Sequence, residues 1–341
     1  MTPIKMRAAW RYLMLTILLR VALVATLIVA AILGHLAKLL FGFDAGLLVL
    51  IGVLLGLQTA VPLGALGLSA RGFLNVAPFE RRWLASAREV FEFWRAFVVL
   101  MPFESFWMSE DKPLAPGKGD LPIVLVPGYA CNRALWFDLK RDLEEAGRQV
   151  AAVTFAWPFA DIDLLARQLD QHIARVREQT GAAEILLVGH SMGGLVARAW
   201  LARHGGAGVA GLITLATPHH GARLAKFAPG PNGRQMEPAS PWLAALNAQE
   251  PPVPAHAFWS GRDEFISPPE SARLSGAAET CAPLYGHYSL LRHPDVLQKL
   301  LSASAAPAPV LAAPVQDAQI QEAPSQDTPV QEPPAQETQP A

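Results

Sequence analysis

The chain is poor in cysteine and almost neutral. Cys131 and Cys281 are the only two cysteines in 341 residues, and their spacing makes no metal-ligand set. Each reads either as a buried free thiol or as half of a disulfide, so neither a reducing nor an oxidising compartment is excluded. With 28 basic against 29 acidic residues and a net charge of −1, there is no long basic run, which argues against a nucleic-acid partner. Large apolar side chains are nearly missing from about residue 303 onward, where Pro, Ala, Gln and Glu dominate. Such a stretch buries too little surface to offset its ordering entropy and is expected to be a disordered tail over 303–341.

What the chain does have is a long apolar beginning. Residues 13–34 and 45–66 are each long enough to cross a hydrocarbon core of roughly 30 Å, and together they predict a membrane-anchoring helical hairpin over 1–69. A secretory signal peptide is the alternative for the first stretch, since Lys5, Arg7 and Arg11 precede it. No small-residue cleavage site stands out, however, and a second apolar stretch follows at once. Arg20 is tolerable if the span starts near Val21 or if its side chain snorkels toward the N-terminal interface. Lys5, Arg7 and Arg11 before the hairpin and Arg71, Arg81 and Arg82 after it, against Lys38 between the spans, place both ends on the cytoplasmic side.

Residues 70–119 form a juxtamembrane linker in which Arg81, Arg82, Arg88, Glu89, Glu92 and Arg95 interrupt Trp83, Leu84, Val90, Phe91, Trp94, Phe97 and Val98. This composition suits an amphipathic helix at headgroup level. Packing of the same aromatics against the following domain or the hairpin is the alternative, and both can hold on different faces.

From 120 to 302 the composition is that of a globular enzyme domain. Apolar runs at 121–126, 149–155, 184–188, 209–216 and 255–260 alternate with helical patterns at 134–146 and 161–179, which predicts a parallel sheet covered on both faces. Ligands on such sheets sit beyond the carboxyl ends of the strands. At one such end stands Gly189-His190-Ser191-Met192-Gly193, between a strand and a helix: a sharp turn that lifts a serine hydroxyl toward a helix N-terminus. Downstream, Asp263 follows a strand end, and His287 follows residues 280–286, read as the last short strand. The order Ser191, Asp263, His287 supplies nucleophile, orienting acid and general base, without which a serine hydroxyl is too weak to attack an acyl carbon. His293 is the rival histidine, but it precedes Pro294 and suits a helix start; Glu264 and Glu270 are rival carboxylates. Met192 N–H and Tyr129 N–H, the latter on Pro127-Gly128-Tyr129, are the candidate oxyanion donors, with a purely structural turn as the alternative for that loop.

These motifs resemble the bacterial lipase and esterase branch of the α/β-hydrolase superfamily over roughly residues 121–302. The resemblance rests on Leu125-Val126-Pro127-Gly128-Tyr129, Gly189-His190-Ser191-Met192-Gly193-Gly194, Ala216-Thr217-Pro218-His219-His220-Gly221, Asp263-Glu264-Phe265-Ile266-Ser267-Pro268 and Gly286-His287. It implies cleavage of carboxylic esters, often of acyl lipids, with no organic cofactor, and it places the segment carrying Met236, Ser240, Trp242, Leu243, Leu246 and Asn247 beside or over the site. His190, His219, Met236 and Trp242 are the candidate pocket or lid residues. Pro127 stands where the family usually has His, and no set of oxygen ligands for calcium can be picked out. The expectation is therefore an α/β-hydrolase fold behind an N-terminal transmembrane hairpin, in a bacterial cytoplasmic membrane with its catalytic domain facing the cytoplasm. Its partners would be the bilayer and an apolar ester. An acyltransferase or thioesterase with the same triad, or a catalytically silent lipid- or protein-binding module, are the alternatives.

Overall fold

A computed structural model of the chain describes residues 14–70, 79–108, 114–116 and 120–305. The basic residues Lys5, Arg7, Arg11 and Arg71, and most of the proline-rich tail, lie outside them.

The hairpin is built of α1 (Met14–Phe41) and α2 (Phe43–Ser69). Both run longer than the apolar stretches alone suggest, and Gly42, at φ 96°, is the single residue between them. They cross closely at two glycines: a Cβ on Gly46 would lie 2.8 Å from the Gly34 carbonyl oxygen. Small residues at such a crossing let helix backbones approach in the absence of any hydrophobic drive between them. The free end of the hairpin meets the rest of the chain. Leu15 and Thr16 are buried, Arg20 Nε donates to the Pro102 carbonyl at 2.6 Å, and Ser69 Oγ donates to the Glu264 carbonyl at 2.6 Å. Arg20 is thus held at the base of the hairpin, and the uninterrupted apolar part of α1 begins at Val21.

α3 (Phe79–Trp94) continues into a π-helical turn over Arg95–Leu100 and a short helical turn at Glu104–Trp107. Its buried stripe is Ala85, Glu89, Phe93, Ala96 and Leu100, at the three- and four-residue spacing of one helix face. Trp83, Leu84 and Phe91 stay exposed. The packing reading of this aromatic segment holds on one face: Phe93 and Phe97 pack against the domain that follows, while Trp83, Leu84 and Phe91 point away. Glu104 gathers the next contacts, accepting from Thr16 Oγ1, Arg133 Nε and Thr154 Oγ1.

The sheet domain runs β1 (Ile123–Val126), α4 (Phe137–Glu145), β2 (Val150–Ala152), α5 (Ile162–Thr180), β3 (Ile185–His190), α6 (Met192–His204), β4 (Val209–Leu215), α7 (Pro231–Gln235), α8 (Pro241–Asn247), β5 (Ala255–Trp259), β6 (Ala278–Cys281) and α9 (Pro294–Ser304). α5 starts on Asp161, whose carboxylate accepts from Asp163 N and Leu164 N, and stops at Gly181, left-handed at φ 66°; these are ordinary start and stop signals. The described strands form one parallel sheet in the order β2-β1-β3-β4-β5-β6. Val124, Val126 and Leu187 pack with α5 and α6 on one face; Ile123, Leu125 and Val188 pack with α4 and α9 on the other. Burial on both faces is why these strands read as continuous apolar runs.

The last strand is earlier and shorter than the apolar pattern of 280–286 suggests, because Pro283 has no N–H for the ladder and Tyr285 N turns back to the Ala282 carbonyl. Cys281 on this edge strand is exposed and free, whereas Cys131 is buried and free, so the buried-thiol reading holds for Cys131 and fails for Cys281.

Candidate active site

The chain winds outward in one direction through β1 and β2 and in the other from β3 onward. The reversal lies between β1 and β3, where an open parallel sheet leaves a crevice at its carboxyl edge. The loop 127–132 follows β1 there, and Ser191 follows β3.

Ser191 has φ 54° and ψ −128°, a backbone conformation costly for any residue with a side chain. Its N–H donates to the Leu215 carbonyl at 2.8 Å, tying the turn to β4. The neighbouring glycines are required by space. A Cβ on Gly193 would lie 2.2 Å from the Val126 carbonyl oxygen, one on Gly189 would lie 2.5 Å from Gly194 Cα, and one on Gly128 would lie 2.9 Å from Ser191 Cβ.

Asp263 and His287 meet at the carboxyl ends of β5 and β6. The His287 Nδ1 lies 2.9 Å from Asp263 Oδ2 and 3.0 Å from Oδ1. Phe265 N and Ile266 N donate to Asp263 Oδ1 at 2.9 and 2.8 Å, so the carboxylate cannot swing away. Asp263 is acceptor-only when ionised, so this pairing puts the proton on Nδ1 and leaves Nε2 as the basic nitrogen. Among the described residues no hydrogen bond joins His287 to Ser191 Oγ; bonds of this kind often tighten only with substrate present.

His190 links the two halves. Its Nε2 lies 3.0 Å from the His287 carbonyl, which can only accept, so Nε2 carries the proton and Nδ1 is bare. Nδ1 has no partner. Burial, then the neighbouring His287, hold this imidazole well below its ordinary pKa. His219 is wholly buried as well, accepting on Nδ1 from Arg198 Nη1 at 3.2 Å and donating from Nε2 to Thr214 Oγ1 at 3.1 Å. Burial chiefly, then Arg198, push it down too, and burial lowers Arg198 to about 10. Arg198 also donates to Asn247 Oδ1 and the Leu246 carbonyl, so His219 serves a bracket between α6, the loop after β4 and α8. Met236 is buried in the same core as Met192. Trp242 is half-buried, with Nε1 donating to Asp163 Oδ2 at 2.8 Å.

Met192 N is the first amide of α6. Tyr129 hangs on the loop after β1, its hydroxyl donating to the Pro229 carbonyl at 2.7 Å and pushed up to about 12 by burial. His293 caps α9 by accepting from Asp295 N at 3.1 Å. Among the described residues no group of three or more His, Cys, Asp or Glu side chains is arranged to hold a metal ion.

Residues 122–257 match the model of the alpha/beta hydrolase fold family. Over these residues the chain has the α/β-hydrolase fold. A triacylglycerol lipase of Pseudarthrobacter phenanthrenivorans and one of Burkholderia plantarii are each 32% identical to it over 114 residues, which is 31% of this chain and 35% and 32% of theirs. The chain therefore spans about a third of the length of these relatives. A Bacillus licheniformis lipase in its mature form shares the fold at 20% identity and a TM-score of 0.50, covering 56% of this chain and 96% of that one.

The apolar pattern did not disclose the support beneath the hydrolase site. Glu89, Ser69 and Phe93 belong to segments outside the family match, and Glu264 stood only as a rival to Asp263. Gly286 was the available signal: a Cβ there would lie 2.4 Å from Glu89 Oε2.

Proposed function

We propose that this α/β-hydrolase is a membrane-anchored serine ester hydrolase that cleaves lipid or other apolar acyl esters through an acyl-enzyme on Ser191. The observation that carries the reading is the strained Ser191 turn at the sheet's switch point, with the adjacent His190 bonded to the backbone of an Asp263-paired His287. In this mechanism His287 Nε2 takes the proton from Ser191 Oγ as the oxygen attacks the ester carbonyl carbon. Asp263 stabilises the resulting imidazolium, and the imidazolium protonates the departing alcohol. Water then repeats the cycle on the acyl-enzyme. The tetrahedral oxyanion would be met by Met192 N–H, backed by the α6 N-terminus, and by Tyr129 N–H. His190 would hold the base, and Met236 and Trp242 would border the acyl path.

Anchoring is supported by the hairpin surface. Leu39, Leu48 and Leu63 are 69%, 71% and 55% exposed, and both helices are long and apolar enough to cross a membrane. So much apolar surface is stable only in an apolar medium. The base of the hairpin is bonded to the enzyme domain, so the site would work close to the bilayer, on the cytoplasmic side by the charge bias.

The test is fluorophosphonate labelling of the membrane-embedded protein with peptide mapping, alongside p-nitrophenyl ester turnover. Ser191 should carry the label, and Ser191→Ala should lose at least about a thousandfold in turnover while keeping its melting transition. Label on another residue, or turnover that survives the substitution, refutes the mechanism. Protease access to the enzyme domain in vesicles of known orientation checks the sidedness.

A further inference from the structure

We infer that Glu89 of the juxtamembrane helix and Glu264 of the acid loop form a single proton-sharing carboxyl pair that positions the backbone of the general base His287. This inference rests on the triad assignment above and adds Glu89, a residue from the helix that precedes the sheet domain.

Both side chains are buried, at 1% and 0% exposure. Glu89 accepts from Tyr288 N on Oε1 and from Ser289 N on Oε2 at 3.0 Å. Glu264 Oε2 accepts from His287 N at 3.2 Å. Three consecutive amides beginning at His287 are thus held by two carboxyl groups, one reaching in from a helix about 200 residues earlier in the chain. Glu264 Oε1 is buried without a donor, and the consecutive amides that hold the two carboxyl groups bring them side by side. A contact between two ionised carboxylates would be repulsive; one proton between them turns it into a strong charge-assisted bond. Glu89 uses both oxygens as acceptors for amides, so the proton sits on Glu264.

The groups facing Glu264 agree with that placement. Burial first, then the charges of Glu89 and Asp263, then the bond to Glu89 raise its pKa well above the usual carboxylate range. Tyr288 beside it is a neutral phenol, raised by burial. Arg262 is the cation nearest in the chain; it donates to the Ser86 hydroxyl and the Arg82 carbonyl and also feels the charge of Glu264. Ser69 Oγ occupies the Glu264 carbonyl, so the end of the hairpin closes the same cradle. Gly286 leaves the opening through which Glu89 enters.

The two glutamates should then respond differently to amide replacement. The amide of Glu264→Gln can donate to Glu89 and still accept from His287 N, and its kcat should fall no more than about fivefold. Glu89→Gln turns an NH2 toward amides that need an acceptor, displacing the base; a misplacement of this kind costs about a hundredfold in kcat, with KM moving less than about threefold. Infrared spectra of the full chain in lipid at pH 7 give a second reading. The wild type minus Glu264→Gln difference should contain the C=O stretch of a protonated carboxyl. Equal losses in the two variants, a Glu89→Gln kcat within threefold of wild type, or a difference spectrum showing only an ionised carboxylate would overturn the inference. Should Glu89→Gln fail to fold, the infrared comparison decides alone. A wild type that neither turns over ester nor takes the fluorophosphonate label would instead strike the hydrolase reading, and the infrared result would still judge the pair.

Discussion

At the scale of single residues, the site is shaped by backbone positions more than by functional groups. Ser191 is held at φ 54° by the bond from its amide to Leu215 and by glycines with no space for a side chain. That conformation stores about 1–3 kcal/mol. Glycine relieves it, at an entropic cost of about 0.4–1 kcal/mol relative to alanine. The first quantity is the larger, so Ser191→Gly should melt at a higher temperature than Ser191→Ala, although both lack the nucleophile. Comparing the two inactive variants by thermal denaturation in the same detergent isolates the strain; a higher melting point for the alanine variant would show that the turn is not strained. Pro127 brings no side-chain donor to the loop after β1, so any oxyanion stabilisation proposed there falls on backbone amides alone, and Gly128 must stay small to let that loop lie against Ser191.

At the scale of elements, α3 joins the apolar hairpin to the proposed site. Besides Glu89, it sends Arg88 to the Leu284 carbonyl and Ser86 to Arg262. Phe93 stacks on Phe97 at 4.4 Å and meets the edge of Tyr288 at 5.5 Å, next to His287. Truncating a buried phenylalanine costs about 3–5 kcal/mol. Phe93→Ala should therefore lower the urea midpoint and also slow fluorophosphonate labelling, because the ring supports the loop that carries the base. A lower midpoint with unchanged labelling would confine α3 to a structural role. This element also marks the limit of what was legible beforehand. The strands and the sharp turn at Ser191 could be read because each depends on a local pattern of apolar runs and turn residues. Glu89 could not be read in that way. A charged residue among arginines and aromatics looks like part of a solvated face, and only its amide partners at 288 and 289 show it to be buried. His190 and His219 follow the same logic: their neighbourhood was visible, but their buried bonding partners come from elements far along the chain.

At the scale of the whole molecule, three buried groups give stability a definite dependence on pH. His190 and His219 have folded pKa values below the ordinary 6.5, chiefly through burial. Below that pH the unfolded chain takes up protons that the folded chain refuses, so their contribution is complete above about 6.5 and is lost as pH falls. Glu264 has the opposite sign. Its folded pKa is raised above 4.5, so the folded chain keeps a proton that the unfolded chain releases; its contribution is complete below about 4.5 and declines as pH rises toward the folded value. Between 4.5 and 6.5 the two histidines outweigh the single glutamate, and stability should fall on acidification. Above 6.5 the two histidines no longer add to the slope, and what Glu264 contributes declines as pH rises toward its folded value. Melting temperatures across pH 4–9 test the balance. In Glu264→Gln the alkaline decline should flatten and the acid decline should steepen, because the opposing proton is gone. Parallel curves for that variant and the wild type would mean that Glu264 carries no proton in the folded chain at neutral pH.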